Sequence, residues 1–337
     1  MRVRLKDIAD DLNLSKMTIS KVLRGQTDIS DATKARVLRR VKELKYIPNI
    51  SASSLRTGQT KTVGLILPSI GKSFLGEVAA GINHTVSPAG YGLIVCSSQN
   101  DIEIEQRRIE IFLSLQVDAL LVVSSQETAT FFEQMQKPKR MPLIFVAHMP
   151  SGASQNYVGV REEDVGRIAC EHLISCGCRR IAYIRGPRTV MGDLRSKGYR
   201  QAMNNHRLTA QPDLMIDSMG SGESEYKRGF DAMVRLLARR GRPDGVMTYT
   251  DVMALGAMDA ARGRGLKIPE EIRFIGCGDD ALLGEIGISL SSIDLRGHEL
   301  GQRAGRLALR VIASGQKSGS HKVFVTPKLV KRESSAK

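Results

Sequence analysis

Near the N-terminus, a short basic helix carries the side chains best suited to contact a polyanion. The segment Leu5–Gly25 combines two short helical patterns, a tight turn between them and a second helix rich in Lys, Ser and Thr. A helix of this size fits the major groove of duplex DNA, and its first turn can reach the base edges. The same periodicity suits an ordinary helical hairpin, so the pattern alone leaves both interpretations open.

The distribution of charge favours the interpretation as a nucleic-acid-binding segment. The 337-residue chain has a net charge of +15, and residues 1–60 hold 13 Lys and Arg against 6 Asp and Glu. Nearly half of the excess positive charge therefore lies in less than a fifth of the chain. Positive charge attracts polyanions, although alone it argues only for non-specific binding.

Three short helices between residues 5 and 46 are predicted to hold this basic surface. The first has one apolar face, because apolar residues follow the i, i+3, i+4, i+7 spacing at Leu5, Ile8, Ala9 and Leu12. Ser15 can cap the second helix, and Ser30 the third, by accepting a hydrogen bond from a free backbone N–H. A polar, basic stretch follows, in which Pro48 can open a helix of about two turns. We interpret residues 47–60 as a hinge that becomes ordered when a partner binds.

From residue 62 onward, short apolar runs alternate with amphipathic helical stretches. The runs lie at 63–67, 93–95, 119–123, 143–146, 181–184, 246–249 and 274–276. This alternation predicts two doubly wound lobes, each a parallel sheet with helices on both faces. The first lobe is expected to comprise about 61–160 and 293–325, and the second about 161–292 and 326–333. Ligands of such folds bind beyond the carboxyl ends of the strands, which here indicates the cleft between the lobes.

The sequence argues against catalytic or metal chemistry. It contains no P-loop, no G-x-S-x-G elbow and no dinucleotide-binding G-x-G-x-x-G, and its six histidines are scattered without the spacing of metal ligands. Cys176-Gly-Cys178 could bind a metal or sense redox state, but idle thiols are the default in a reducing cytosol. The first residues lack the apolar run of a secretion signal. We predict a cytoplasmic protein that is not an enzyme and has no metal, cofactor or membrane segment.

Several segments, in the same order along the chain, carry a family resemblance. They are Leu5–Gly25, Tyr46–Asn49, Val63–Pro68, Glu171–Leu173, Arg179–Pro187, Thr250–Ala257, Leu290–Ile293 and Leu329–Arg332. In these segments the chain resembles the LacI/GalR family of bacterial transcription regulators over essentially its whole length. The resemblance implies an all-α helix-turn-helix headpiece (1–46), a hinge (47–60) and a two-lobed α/β domain of the periplasmic-binding-protein type (61–333).

The resemblance also implies which residues contact an operator. Lys16 and Met17 would read bases, since Lys can donate to guanine O6 or N7 and Met offers an apolar surface to a thymine methyl. In the hinge, Leu55 would wedge into a minor-groove base step, with the small Ala52 permitting close approach. The positions implied to contact DNA are Leu5, Ser15, Lys16, Met17, Thr18, Ser20, Lys21, Asn49, Ala52 and Leu55. Two hinges side by side require a homodimer on a near-palindromic operator. Only five residues follow Arg332, so a dimer is expected rather than a tetramer.

The positions that the resemblance assigns to a small-molecule effector are Lys72, Phe74, Arg195, Thr250 and Asp279. Arginine suits bidentate contact with a carboxylate, a phosphate or a diol, and a surface ion pair is the alternative explanation of Arg195. Phe74 and Thr250 also suit simple packing.

The chain departs from the family pattern at several of these positions. It has Cys277-Gly-Asp279 where many members have Phe-Asp-Asp, Ala147 in place of a usual Asp, and a Lys at position 72. Because acceptors are lost and a cation is gained, we expect an anionic sugar derivative, such as a sugar acid or sugar phosphate. Whether Asp279 or Asp280 replaces the missing carboxylate stays open.

Control is expected to couple the effector site to the DNA site. An effector that changes the relation of the lobes would change the spacing of the paired hinges, with a coupling of about 1–3 kcal/mol. The sequence does not decide whether the effector releases DNA or promotes binding. The alternative, a solute-binding protein of a transport system, is disfavoured by the basic N-terminal segment and the lack of an export signal.

Overall fold

In a computed structural model, the chain divides into two compact units, Met1–Thr60 and Lys61–Lys337. The structure describes residues 3–23, 25–46, 58–136, 141–186, 189–218, 223–280, 287–314 and 319–336. The first unit contains α1 (Leu5–Leu12), α2 (Lys16–Leu23) and α3 (Asp31–Glu43). Ile8, Ile19 and Val37 are fully buried between these helices, so the predicted apolar faces form the core.

The predicted helix caps are present in this first unit. The hydroxyl of Ser15 accepts a hydrogen bond from the Thr18 amide at 3.0 Å. The hydroxyl of Ser30 accepts one from the Thr33 amide at 3.4 Å. Gly25 follows α2 with a φ of +67°, a left-handed conformation that glycine adopts without steric cost. The sequence therefore specifies both the start and the end of α2.

The second unit is built from alternating strands and helices. The strands are β1 (Thr62–Leu67), β2 (Gly92–Ser97), β3 (Ala119–Val122), β4 (Leu143–Val146), β5 (Asn156–Val160), β6 (Ile181–Arg185), β7 (Met215–Asp217), β8 (Gly245–Thr248), β9 (Arg273–Cys277), β10 (Ser291–Asp294), β11 (Lys322–Val325) and β12 (Lys328–Val330). The helices are α4 (Ser73–Val86), α5 (Ile102–Ser114), α6 (Thr130–Gln136), α7 (Glu162–Ser175), α8 (Val190–Asn205), α9 (Glu225–Leu237), α10 (Asp251–Arg262) and α11 (Gly297–Ser314).

These strands form two sheets, one in each lobe. Among the described residues the first sheet has the order β11-β5-β4-β3-β1-β2, and the second has the order β12-β10-β9-β8-β6-β7. Nearly continuous apolar runs, such as β3 and β4, are buried along their whole length. Burial on both faces is what parallel sheets covered by helices require. The doubly wound fold predicted from the alternation of elements is confirmed.

One strand pair departs from the predicted all-parallel arrangement. β12 runs antiparallel to β10, with Leu329 opposite Ile293. Only residues 326–327 separate β11 in the first sheet from β12 in the second. Because the connection is this short, the start of β12 lies close to the end of β11. The short link therefore fixes how the chain returns to the second lobe.

No helix among the described residues is long and apolar enough to cross a membrane.

Candidate functional site

The outer face of α2 presents two of the residues predicted to contact DNA. Lys16 and Met17 occupy its first turn and are exposed, and the Met17 side chain is 68% accessible. Thr18 and Ser20 are half-buried beside them, and Thr18 lies 2.9 Å from the capping hydroxyl of Ser15. This turn therefore offers one cation and one apolar group to a partner.

The other predicted DNA-contacting residues are placed differently. Lys21 forms an ion pair with Asp28. Leu5 is half-buried and packs against the core of the first unit. Asn49, Ala52 and Leu55 lie outside the described residues.

A cavity of about 890 Å³ lies between the two lobes of the second unit. Its wall is formed where strands of both sheets end: Ser124 follows β3, His148 follows β4, Thr250 follows β8 and Cys277 ends β9. The carboxyl edge of parallel strands is where α/β proteins place their ligands. The volume is within the range of small-molecule sites, about 300–1,000 Å³.

Arg195 lines this cavity from α8 and is only 5% exposed. Its Nε donates to the Glu162 carboxylate at 2.5 Å, and a terminal nitrogen donates to the Tyr249 carbonyl at 3.0 Å. The guanidinium also lies 4.5 Å from the centre of the Tyr249 ring. The ion pair is thus buried rather than on the surface, and Arg195 is held in one orientation with its charge offset.

The approach of α7 to α8 makes this pair possible. A Cβ added at Gly166 of α7 would lie 2.0 Å from the Arg195 carbonyl oxygen, and one at Gly198 of α8 would lie 1.9 Å from the Glu163 carbonyl oxygen. Any larger residue would force the helices apart. Glycine at these two positions therefore places Arg195 against Glu162.

Lys72 and Glu225 form a second ion pair across the cavity mouth. Lys72 precedes α4 of the first lobe, Glu225 begins α9 of the second, and their charged atoms are 2.8 Å apart. The hydroxyl of Thr250 donates to the other Glu225 oxygen at 2.8 Å. Burial raises the pKa of Glu225, but the hydrogen bond and the charge of Lys72 outweigh it, so the pKa lies below its usual value. Thr250 therefore acts here through Glu225.

Phe74, Cys277 and Arg228 complete the parts of the wall that bear on ligand chemistry. Phe74 is half-buried in the part of the wall that the first lobe forms. Burial raises the pKa of the Cys277 thiol to about 12, so this thiol stays protonated. The Arg228 Nε is buried and has no hydrogen-bond partner among the described residues. Of the lining cations, Arg228 alone offers such an unsatisfied buried donor within the described wall.

Asp279 does not belong to the described wall of this cavity. Its carboxylate pairs with Arg332 at 2.7 Å instead. The space beside β9 is occupied by the carboxylate of Asp251, which accepts hydrogen bonds from the Ser292 hydroxyl at 2.6 Å and the Asp280 amide at 3.1 Å. Burial raises the pKa of Asp251 to about 6. The prediction that Asp279 faces the effector site is therefore not supported by its position.

Sequence reasoning missed the acidic side of the cavity. The carboxylates in its wall are Glu127, Glu162, Asp193 and Glu225. Glu162 follows β5, whose short sequence Asn-Tyr-Val-Gly-Val was not recognised as a strand. A polar residue just after a strand end was the available signal.

Comparison with known proteins decides the family. Residues 4–49 match the family model described as bacterial regulatory proteins, lacI family, and residues 170–335 match the periplasmic binding protein-like domain. The chain is 31% identical to the ribose operon repressor of Escherichia coli (strain K12) over 301 residues, which is 89% of this chain and 90% of that one. The chain belongs to the LacI family. It is a DNA-binding transcriptional repressor with a periplasmic-binding-protein-like effector domain, and the curated relatives that it matches are transcriptional repressors rather than enzymes.

Other known proteins are similar to this chain along nearly its whole length. The HTH-type transcriptional repressor PurR of Haemophilus influenzae (strain PittEE) is 28% identical over 333 residues, covering 98% of each chain. The transcriptional regulator CelR–cellobiose complex has a TM-score of 0.72 at 27% identity, covering 99% of this chain and 100% of that one. The lac repressor dimer bound to operator and the anti-inducer ONPF has a TM-score of 0.88 at 24% identity, covering 99% of each chain. That last likeness concerns the fold.

Proposed function

We propose that this LacI-family chain represses transcription as a homodimer on a near-palindromic operator, and that a sugar or sugar derivative in the cavity changes its affinity for that operator. One observation carries the proposal: Lys72 and Glu225 join the two lobes across a ligand-sized cavity, in a chain whose other unit exposes a basic helix-turn-helix. A ligand that replaces or strengthens this contact changes the relation of the lobes.

The operator is read from the first turn of α2. Lys16 and Met17 are free to meet base edges, whereas Ser15, Thr18 and Ser20 are suited to phosphates, which orient without specifying sequence. Lys21 forms an ion pair with Asp28, so it contributes to operator binding when this pair opens or when Lys21 contacts a phosphate as well as Asp28. Asn49, Ala52 and Leu55 of the hinge complete the interface by the family resemblance alone.

The homodimer is supported by exposed apolar side chains on the first lobe. Ile94 lies on the edge strand β2, and Ile111 and Leu115 lie on and just after the following helix α5; each is at least 42% exposed. Exposed apolar side chains clustered on neighbouring elements mark association surfaces. The lac repressor structure with the same fold is described as a dimer.

The effector is a polyhydroxylated molecule that carries a single anionic group against Arg228. Carboxylates in the wall are acceptors for hydroxyl groups, and the two cations Lys72 and Arg195 already have carboxylate partners. An anionic group therefore has Arg228 as its most available cation, with the unsatisfied Nε as donor. The names of relatives, a ribose operon repressor and a CelR–cellobiose complex, agree with a sugar-class ligand.

Selection of bound sites from random DNA, with and without a metabolite pool, tests the operator proposal. We expect an inverted repeat, and we expect Lys16→Ala and Met17→Ala to relax the preference at single positions by about 1–3 kcal/mol. Lys42→Ala removes one exposed charge from α3 and should leave the preference intact. A protein that prefers no duplex over bulk competitor under every ligand would contradict the proposal.

Calorimetry with neutral sugars, sugar acids and sugar phosphates tests the effector proposal. Arg228→Met should weaken binding of an anionic sugar by about tenfold or more, as expected for loss of a charge-assisted contact. Arg235→Met, an exposed change on the same helix α9, is the matched control. If only neutral sugars bind, the proposal that the effector carries an anionic group is wrong, whereas the operator proposal is unaffected.

A further inference from the structure

The amino-terminal edge of the second sheet carries an unusual concentration of arginine. Three loops lead into the adjacent strands β6, β8 and β9, at the edge opposite the cavity: residues 176–180, 238–244 and 263–272. Together they hold seven Lys and Arg against three Asp and Glu, so about a quarter of the net charge of +15 lies in 22 residues. We call these three loops the arginine edge.

Hydrogen bonds tie the three loops into one surface. The Asp244 carboxylate accepts from the amides of Arg179 and Arg180, at 2.8 and 2.9 Å. The Asp244 carbonyl in turn accepts from the Arg273 amide at 3.0 Å. Neighbouring strands are about 4.8 Å apart, so the outer two of these strands are separated by about 10 Å. The ends of the three loops are therefore held within about 10 Å of one another, and the helices α9 and α10 that lead into two of them pack against each other.

Three of these arginines have no internal role that the structure shows. Arg239, Arg240 and Arg264 are exposed and form no ion pair with another described residue. Arg242 differs, since it pairs with Glu271 at 3.0 Å.

Capping of helix C-termini explains only part of the edge. Helices α7, α9 and α10 end here, and cations near helix C-termini are favourable. Arg179 takes this role by donating to the Ile174 carbonyl of α7 at 3.3 Å. Arg239, Arg240 and Arg264 make no such side-chain hydrogen bond within the described chain, so their charge is available to a partner.

The composition of the edge indicates the chemistry of that partner. None of the large apolar side chains exposed in the described residues lies in these loops. Protein interfaces depend on an apolar, often aromatic core, whereas DNA interfaces are polar and strongly positive. The guanidinium fork matches phosphate oxygens, and a duplex presents one charge per 1.7 Å. A phosphate backbone fits this surface better than a protein does.

We propose that the arginine edge binds the phosphate backbone of a second DNA duplex, independently of sequence, while the helix-turn-helix holds the operator. The inference rests on the proposed operator binding. One repressor dimer then joins two DNA segments without forming a tetramer. Arg239, Arg240 and Arg264 supply the phosphate contacts.

A capture experiment with the full-length protein tests this proposal. The protein is bound to an immobilised operator duplex in excess, and a fluorescent duplex of unrelated sequence is added at several salt concentrations. We expect the wild type to capture it, with an affinity that falls steeply with salt. The triple variant Arg239→Ala/Arg240→Ala/Arg264→Ala should lose about tenfold or more in capture, and the salt slope should fall by about three.

A charge-matched variant provides the control. Arg306→Ala/Arg310→Ala/Lys322→Ala removes three exposed charges from α11 and β11 and should capture as the wild type does. Operator affinity of each variant reports that it is folded. If the triple variant captures the unrelated duplex as well as the wild type does, the proposal is wrong, because the capture then comes from tetramers or from the headpieces. Capture of poly-glutamate instead of duplex also overturns it, whereas failure to bind operator is a failure of the proposed function.

Discussion

Lys72 of the first lobe and Glu225 of the second lie 2.8 Å apart and close the mouth of the cavity from opposite sides. Thr250, at the start of α10, holds the other oxygen of the same carboxylate at 2.8 Å. The contact between the lobes is thus connected to a residue in the wall of the cavity. A bound molecule that contacts Glu225 would alter the lobe contact directly, which gives the proposed allostery a physical element on which to act.

Removing the lobe-bridging cation should change ligand binding more than stability. Because Lys72 is 52% exposed, the pair contributes only about 0.2–1 kcal/mol. Lys72→Met is therefore expected to weaken effector binding about two- to fivefold, measured by calorimetry, with little change in Tm. Lys322→Met, on β11, is the control. An effector affinity equal to that of the wild type would show that the pair does not assist closure.

The same pair predicts a pH dependence of effector binding. The pKa of Glu225 is depressed in the folded protein, so its stabilising contribution is present above the usual value of 4.5 and is lost as the pH falls through the lower, folded value. Effector affinity of the wild type should decline over that acidic window. In Lys72→Met the decline should shift to higher pH, since the carboxylate has lost the charge that lowers its pKa.

Breaking the buried pair of Arg195 and Glu162 should lower the free energy of unfolding more than breaking an exposed pair between the same helices. Arg195→Met leaves the Glu162 carboxylate buried without its partner, which costs about 3–5 kcal/mol. Adding Glu162→Met should restore much of this loss, measured as the free energy of unfolding in urea. Lys197→Met breaks the exposed pair with Glu163, also between α8 and α7, and should cost less than about 1 kcal/mol. Equal losses for the two single changes would contradict the burial argument.

The fold could be predicted from the sequence where local pattern and burial agree. Ile8 in α1 and Ile19 in α2 each belong to an apolar face with helical spacing and are fully buried, and apolar runs such as Leu143–Val146 are buried as central strands. Short strands with mixed composition, such as Asn156–Val160, could not be recognised, because Asn and Gly interrupt the apolar run and one partner strand, β11, lies about 165 residues away in the chain.

In the cavity, too, the sequence predicts some features and not others. Arg195 and Lys72 were identified as lining candidates, but their carboxylate partners lie 33 and 153 residues away and could not be inferred from spacing. Asp279 follows β9 as a ligand residue would, yet Arg332, 53 residues later, binds its carboxylate. Local sequence indicates which residues reach a strand end. Tertiary pairing decides which of them face the ligand.

The hinge prediction can be tested although its residues lie outside those described. Leu55→Ala removes the apolar group that would insert into a base step, so specific operator affinity should fall. Non-specific binding, which depends on phosphate contacts and salt, should hardly change. Fluorescence anisotropy with operator and random duplexes measures both. Equal losses on the two duplexes would count against insertion.

A buried histidine should make stability depend on pH. The Nε2 of His172 lies 2.6 Å from the Ser335 hydroxyl, which is also 2.6 Å from the Ser291 hydroxyl, so the ring links α7 to the end of the chain. Burial, assisted by the charge of Lys331, lowers the pKa of His172 from 6.5 to about 4. The unfolded chain thus binds more protons between these values, and stability should fall by about 3 kcal/mol as the pH drops from 6.5 to 4.

Substitution of this ring isolates its share of the acid sensitivity. His172→Gln keeps a side chain that can hydrogen-bond the Ser335 hydroxyl but cannot be protonated in this range, so its stability should vary less between pH 6.5 and 4. His206→Gln changes an exposed histidine and should leave the wild-type pH profile in place. Urea unfolding at half-unit pH steps measures all three proteins. If the profile of His172→Gln coincides with that of the wild type, the ring is not held neutral by burial, and the acid sensitivity must come from other groups.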